Sequence, residues 1–214
     1  VTAQSTETSP TITTVVFDLG QVLVGWDPRR IWARDLTEEE IEAFLVESAF
    51  ATLNHSLDAG RPYTEARTEL AKRAPHHVAT LDAYWNAIPD SLTGPVPGSA
   101  EIVSEIADLG LRLLGLTNWS AETFHHAPVA APAISLLEDV LVSGREGLAK
   151  PDPAIFELLV QRYDLTPAET FFTDDSPANI EAARSLGLQV HLFAGADGLR
   201  SALRAHGVEI AAGS

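Results

Sequence analysis

Five short apolar runs, at residues 13–18, 111–116, 139–143, 170–173 and 189–193, punctuate the chain. Stretches of helical periodicity at about 98–109, 153–163, 176–187 and 196–206 separate them. Continuous apolar runs, as opposed to strict alternation, are what strands covered on both faces require. Strands alternating with helices predict an α/β fold: a doubly wound parallel sheet, Rossmann-like, with helices on either side. Within 153–163, Ile155, Leu158 and Leu159 share one helical face while Glu157 and Gln161 lie elsewhere. Thr166-Pro167 and Ser176-Pro177 each place a hydroxyl residue before proline, a helix-start signal.

One region breaks the alternation. Residues 28–89 carry helical signals and no convincing strand. Thr37-Glu38-Glu39-Glu40 has the form of a capping box opening onto Ile41, Phe44 and Leu45. Asp58-Ala59-Gly60 then turns the chain into amphipathic stretches at 64–73 and 77–87. The expected organisation is a core of residues 11–27 and 90–214, with an all-helical cap of 28–89 inserted after the first strand as a lid. Residues 1–10, rich in Ser and Thr with neither a basic region nor an apolar core, read as a disordered tail and not as a signal peptide.

Composition narrows the chemistry. A chain of 214 residues buries a substantial core. No apolar stretch approaches the roughly 20 residues that span a bilayer. The absence of cysteine removes disulfides, thiol nucleophiles and Cys-zinc sites, and fits a cytoplasmic location. A net charge of −16 argues against nucleic acid or an anionic membrane as partner. An acidic protein that takes an anionic ester needs local positive charge, which a divalent cation supplies compactly.

Polar residues stop three of the apolar runs. Asp18 ends Val15-Val16-Phe17, Thr117 ends Leu113-Leu114-Gly115-Leu116, and Asp174-Asp175 end Thr170-Phe171-Phe172-Thr173. In open α/β sheets the ligand crevice lies at the carboxyl ends of the strands. Lys150 follows in Gly147-Leu148-Ala149-Lys150-Pro151-Asp152, as one of only two lysines with Lys72. Carboxylate, hydroxyl, ammonium and a carboxylate pair outline metal-assisted phosphoryl transfer.

The segments 17–23, 116–120, 150–156 and 174–180 resemble, in order, the four motifs of the haloacid dehalogenase-like (HAD) hydrolases, and the helical insert resembles the small cap of that superfamily. Within it, the likeness is to sugar-phosphate phosphatases of the bacterial glucose-1-phosphate phosphatase type. The resemblance implies a Mg²⁺-dependent phosphatase acting on small phosphorylated metabolites. Asp18 would be the nucleophile, forming an aspartyl-phosphate. Asp18, the Gly20 carbonyl, Asp174 and Asp175 would hold Mg²⁺, with Asp175 the more direct ligand of the pair. Thr117, Asn118 and Lys150 would meet the phosphoryl oxygens, and Asn179 would hold its loop in place.

One departure stands out. Phosphatases of this superfamily typically carry a second aspartate two residues after the nucleophile, as general acid and base. Here that position is Gly20, as in the glucose-1-phosphate branch, and the amide of Gln21 cannot replace it. General acid–base help is worth about 10²–10⁴-fold. Water, the substrate or Asp27 are the alternative proton sources, with Asp27 better read as a turn or helix cap. Trp26, His55, Arg61 and Trp119 are candidates for substrate selection. The His76-His77 and His125-His126 pairs read as surface or packing residues, since neighbours on a helix or strand face different ways. Alternatives on the same scaffold are a phosphonatase using Lys72, a dehalogenase, or a non-catalytic phosphate binder.

Overall fold

The computed structural model describes residues 11–211; the expected tail of residues 1–10 lies outside them. β1 (Thr14–Phe17) passes through a tight turn into β2 (Val24–Trp26). Six helices follow: α1 (Arg29–Trp32), α2 (Glu38–Glu47), α3 (Phe50–Asp58), α4 (Tyr63–Arg73), α5 (Val78–Asn86) and α6 (Ile88–Ser91). β3 (Leu92–Pro95) returns antiparallel beside β2. Next come α7 (Ser99–Asp108), β4 (Arg112–Thr117), α8 (Ala127–Ala130), β5 (Asp139–Val142), α9 (Ser143–Glu146) and α10 (Pro153–Arg162). β6 (Thr170–Asp174), α11 (Pro177–Ser185), β7 (Gln189–Leu192) and α12 (Ala196–Ala205) complete the described chain.

The main sheet is parallel throughout, in the order β5-β4-β1-β6-β7. Its two faces explain the apolar runs. Val15, Phe17, Leu113 and Phe171 pack with α7 and α12, while Val16, Leu114, Leu116 and Phe172 pack with α10 and α11. Successive strand residues point to opposite faces, so a strand covered on both sides must be apolar at every position. Val15, Val16 and Phe17 have no exposed surface, and burying each such side chain contributes about 1.5–3 kcal/mol. The doubly wound sheet expected from the sequence is the fold observed.

The six helices between β2 and β3 have a core of their own. Trp32 lies edge-on to Phe44 and Phe50 at centroid distances of 4.8 and 5.1 Å. The capping box forms: Glu40 N donates to Thr37 Oγ1 at 3.3 Å and Thr37 N to Glu40 Oε2 at 2.8 Å. Two features differ from the sequence expectation. Ala49, at φ +48°, separates α2 from α3 where no Gly, Pro or Asn announces a break. The β2–β3 ladder at the roots of the helical block was not expected either, because a three- to four-residue ladder containing Gly94 and Pro95 has neither length nor β propensity.

The block is tied to the sheet domain at its 58–60 turn. Gly60 takes φ +94°, in the left-handed region glycine enters without strain, and a Cβ there would lie 3.0 Å from Gly144 O at the start of α9. Among the described residues, no helix is long and apolar enough to cross a membrane.

Candidate active site

Parallel pairing brings three of the run-stopping residues together. Phe17 is in register with Gly115 of β4 and Thr173 of β6, and Asp18 N continues the ladder onto Thr173 O at 2.9 Å. Asp18 therefore emerges between Thr117 and Asp174 at the carboxyl edge. One carboxylate oxygen from each of Asp18, Asp174 and Asp175 lies within 4.8 Å of the others.

Lys150 reaches into this cluster with its side chain buried. Its Nζ is 2.8 Å from Asp18 Oδ1 and 2.6 Å from Asp174 Oδ2, and donates to Leu116 O at 2.9 Å. Asn118 aligns it by a two-way clamp: Asn118 Nδ2 donates to Lys150 O and Lys150 N to Asn118 Oδ1, both at 2.8 Å. Asp18 Oδ1 also accepts from Leu19 N at 2.7 Å, whereas Oδ2 has no hydrogen-bond partner among the described residues. The carboxylate is thus held by one oxygen and free at the other. Asp174 is fully engaged, accepting from Ser176 N at 2.8 Å, from Asn179 Nδ2 at 2.9 and 3.1 Å, and from Lys150. Asp175 is exposed beside it.

One ammonium faces three carboxylates. Burial pushes the Asp18 carboxyl well above its ordinary range, Lys150 opposes this, and Asp174 and Asp175 add to it. Burial opposes the charge on Lys150 too, but Asp18 and Asp174 hold it above the usual lysine range. Burial and Asp174 raise Asp175. A cluster of hard oxygens with excess negative charge and one carboxylate open to solvent fits a small divalent cation.

The turn after β1 shapes the approach. Leu19 O accepts from both Leu23 N and Val24 N, and Gln21, at φ +59°, donates from its side chain to Trp26 O at 2.9 Å. Gly20 lies at the rim of a cavity of about 170 Å³ between the sheet domain and the helical block. Asn118, Trp119 and Ser120 line it from the sheet side; Asn54, Leu57, Asp58, Tyr84 and Trp85 line it from the helices. Trp26, from β2, also borders it.

Of the four residues considered for substrate selection, Trp26 and Trp119 border the cavity. His55 is exposed on α3, one position past Asn54, and is turned out of it. Arg61 donates to Glu69 Oε2 at 2.6 Å on an outer surface shared with Lys72. The structure does not bring these three to the acidic cluster. Asp27 accepts from Arg29 N at 3.0 Å, the cap-like role preferred for it. Asn54, Asp58 and Tyr84 were missed: as polar positions on helices they carry no signal that separates them from a solvated face. The only local hint was the Asp58-Ala59-Gly60 turn.

His76 and His77 require a correction in geometry. They occupy a 3₁₀ turn, Pro75–His77, where neighbours need not diverge, and both Nε2 atoms meet Glu47 Oε2, at 2.9 and 3.0 Å. His77 is buried against Phe44 and His76 is exposed, so they remain packing and surface residues.

The haloacid dehalogenase-like hydrolase family model matches residues 12–187. Mouse acyl-CoA dehydrogenase family member 10 is 37% identical over 125 residues, 56% of this chain but only 11% of that protein. The sesquiterpene phosphatase astK of Aspergillus oryzae is 25% identical over 179 residues, 83% of this chain and 88% of the relative. Among solved structures, a predicted HAD-like hydrolase from Porphyromonas gingivalis superposes with a TM-score of 0.71 at 23% identity, covering 94% of this chain and 100% of that one. A HAD family enzyme from Bacteroides thetaiotaomicron, in complex with magnesium and inorganic phosphate, gives 0.64 at 22% identity over 84% and 93%. At these identities the two structures establish the fold.

Proposed function

The chain belongs to the haloacid dehalogenase-like hydrolases, and from that premise we propose that it is a Mg²⁺-dependent phosphatase of small phosphomonoesters that works through an aspartyl-phosphate on Asp18. The observation that carries this reading is the buried Asp18, tied at Oδ1 to Leu19 N and Lys150 and free at Oδ2, beside Asp174 and Asp175.

Each residue has a part in the reaction. Asp18 attacks phosphorus and releases the alcohol; water then cleaves the acyl phosphate. Lys150 offsets the repulsion between Asp18 and the incoming dianion, which in an acidic chain is the first barrier to binding. Thr117, whose hydroxyl has no partner among the described residues, and the Asn118 backbone N–H face the phosphoryl oxygens, where transition-state charge accumulates. The Asn118 side chain is already committed to Lys150, so its role is to position that lysine. Asp18, the Gly20 carbonyl and Asp175 would hold Mg²⁺, with Asp174 engaged directly or through water. The ion would supply charge neutralisation at the phosphoryl oxygens. The magnesium and phosphate complex of the Bacteroides relative supports this choice of ion.

The helical block, residues 28–89, acts as the cap over the crevice and selects the leaving group. A cavity of about 150 Å³ holds a benzene molecule, so one of about 170 Å³ suits a single ring. Aromatic walls and a few polar groups fit a sugar phosphate. The apolar walls and the sesquiterpene phosphatase relative favour a second reading, an isoprenoid phosphate, but its chain would need a larger space than the cavity offers. The cysteine-free composition accords with a cytoplasmic setting.

The test is phosphate release from a panel of sugar phosphates, an isoprenyl phosphate and p-nitrophenyl phosphate. Turnover should require Mg²⁺, stop on chelation and be abolished by Asp18→Asn. Full activity in that variant would refute the nucleophile; tight binding without turnover by the wild type would mark a phosphate-binding protein.

A further inference from the structure

We propose that Asp58, from the cap, is the catalytic acid that protonates the leaving-group oxygen, in place of the aspartate missing at Gly20. The inference rests on the phosphatase reading and names a residue that reading lacks. Gly20 and Asp58 line the same cavity, one from the turn after β1 and the other from the end of α3. An acid on the cap can therefore address the space that a side chain at residue 20 would have served.

Asp58 is held as a catalytic group must be. Asn54 Nδ2 donates to its Oδ2 at 3.0 Å, and Tyr84 Oη donates to Asn54 Oδ1 at 3.3 Å, which fixes the amide's orientation. The Ser120 backbone N–H is directed at the carboxyl from the sheet domain. The backbone is pinned as well: the buried Ser143 hydroxyl donates to Asp58 O while accepting from Trp119 N at 2.9 Å. Cap turn and catalytic loop thus share one hydroxyl. No basic side chain pairs with Asp58 among the described residues. Tyr84 is the titratable neighbour, and the elements packed on the other side contribute Ser120 and Ser143. Burial pushes the carboxyl up to about 7, against the opposing Ser120 bond, near the operating pH that favours an acid–base catalyst.

The steps balance. As Asp18 Oδ bonds to phosphorus and the ester P–O bond breaks, the leaving oxygen takes the proton of Asp58, which becomes a carboxylate. In the second step that carboxylate accepts a proton from water, the water oxygen bonds to phosphorus, and the Asp18–phosphorus bond breaks. Inorganic phosphate leaves and Asp58 is again protonated.

Two one-ring esters separate this role from a structural one: benzyl phosphate, a poor leaving group, and p-nitrophenyl phosphate, a good one that departs unprotonated. Asp58→Asn should lower kcat/KM for benzyl phosphate by about 10²-fold or more while lowering that for p-nitrophenyl phosphate by less than about threefold. The p-nitrophenyl value also reports that the variant is folded. Equal losses on both esters, or none on benzyl phosphate, overturn the assignment while the phosphatase reading stands. A wild-type enzyme inert to both and to the sugar and isoprenyl phosphates overturns the two together.

Discussion

The Lys150 ammonium lies 2.6 Å from Asp174 Oδ2, with both side chains buried, and it also serves Asp18 at 2.8 Å. It is the internal counter-charge of a site that would otherwise place uncompensated carboxylates at the edge of the sheet. Lys150→Met keeps much of the stem and removes the charge. Removing one partner of a buried pair typically costs about 3–5 kcal/mol, so we expect a loss of that size in urea unfolding with chelator present, together with loss of phosphate release. A stability change below about 1 kcal/mol would place the lysine among ordinary solvated pairs.

Ser143 joins the two parts of the molecule through one oxygen. In Ser143→Ala the buried Trp119 N–H loses its acceptor and Asp58 O its donor. Leaving a buried group unsatisfied costs about 1–3 kcal/mol, which thermal unfolding should register as a lower Tm. Because the same hydroxyl holds the 58–60 turn of the helical block against the Trp119 segment that lines the cavity, KM for p-nitrophenyl phosphate should rise in the variant. A Tm and KM equal to the wild type would show that the helical block is held without it.

What could be read in advance depended on how local the cause was. Val15-Val16-Phe17 is apolar at every position because both faces of β1 are covered, so the run announces its environment unaided. Asp18, Thr117 and Asp174 were legible because they stop such runs, and parallel register then sets them side by side. Thr37 and Glu40 formed their capping box within four residues. Asp58 was opaque for the opposite reason. Its surroundings come from Ser120 and Ser143, more than sixty residues away in the chain, and nothing in Leu57-Asp58-Ala59 distinguishes a half-buried acid from a solvated one. His55 shows the converse: a chemically plausible residue that the turn of α3 directs outward while Asn54 faces the cavity.

Gly20→Asp offers a gain of function. A Cβ at Gly20 meets nothing within 4 Å, and its backbone is not in the left-handed region, so the substitution is sterically free. An aspartate there should restore the acid typical of the superfamily. In the Asp58→Asn background we expect it to recover at least about tenfold of the lost kcat/KM for benzyl phosphate, within the about 10²–10⁴-fold range of acid catalysis. Recovery confined to p-nitrophenyl phosphate would point to altered binding instead.

Asp58 also ties stability to pH. Its carboxyl titrates at about 7 in the folded protein against 3.8 ordinarily, so between these values the folded state holds a proton that the unfolded state has lost. The stabilisation is full below about pH 4, declines as pH rises, and is gone above pH 7. Asp58→Asn removes this titration while keeping an oxygen for the Asn54 and Ser120 donors. The Tm of the variant relative to the wild type should therefore climb from pH 4.5 to about pH 7 and level off above it. Parallel Tm curves across that range would mean that Asp58 is ionised throughout, and a group already ionised at neutral pH has no proton to give a departing alcohol.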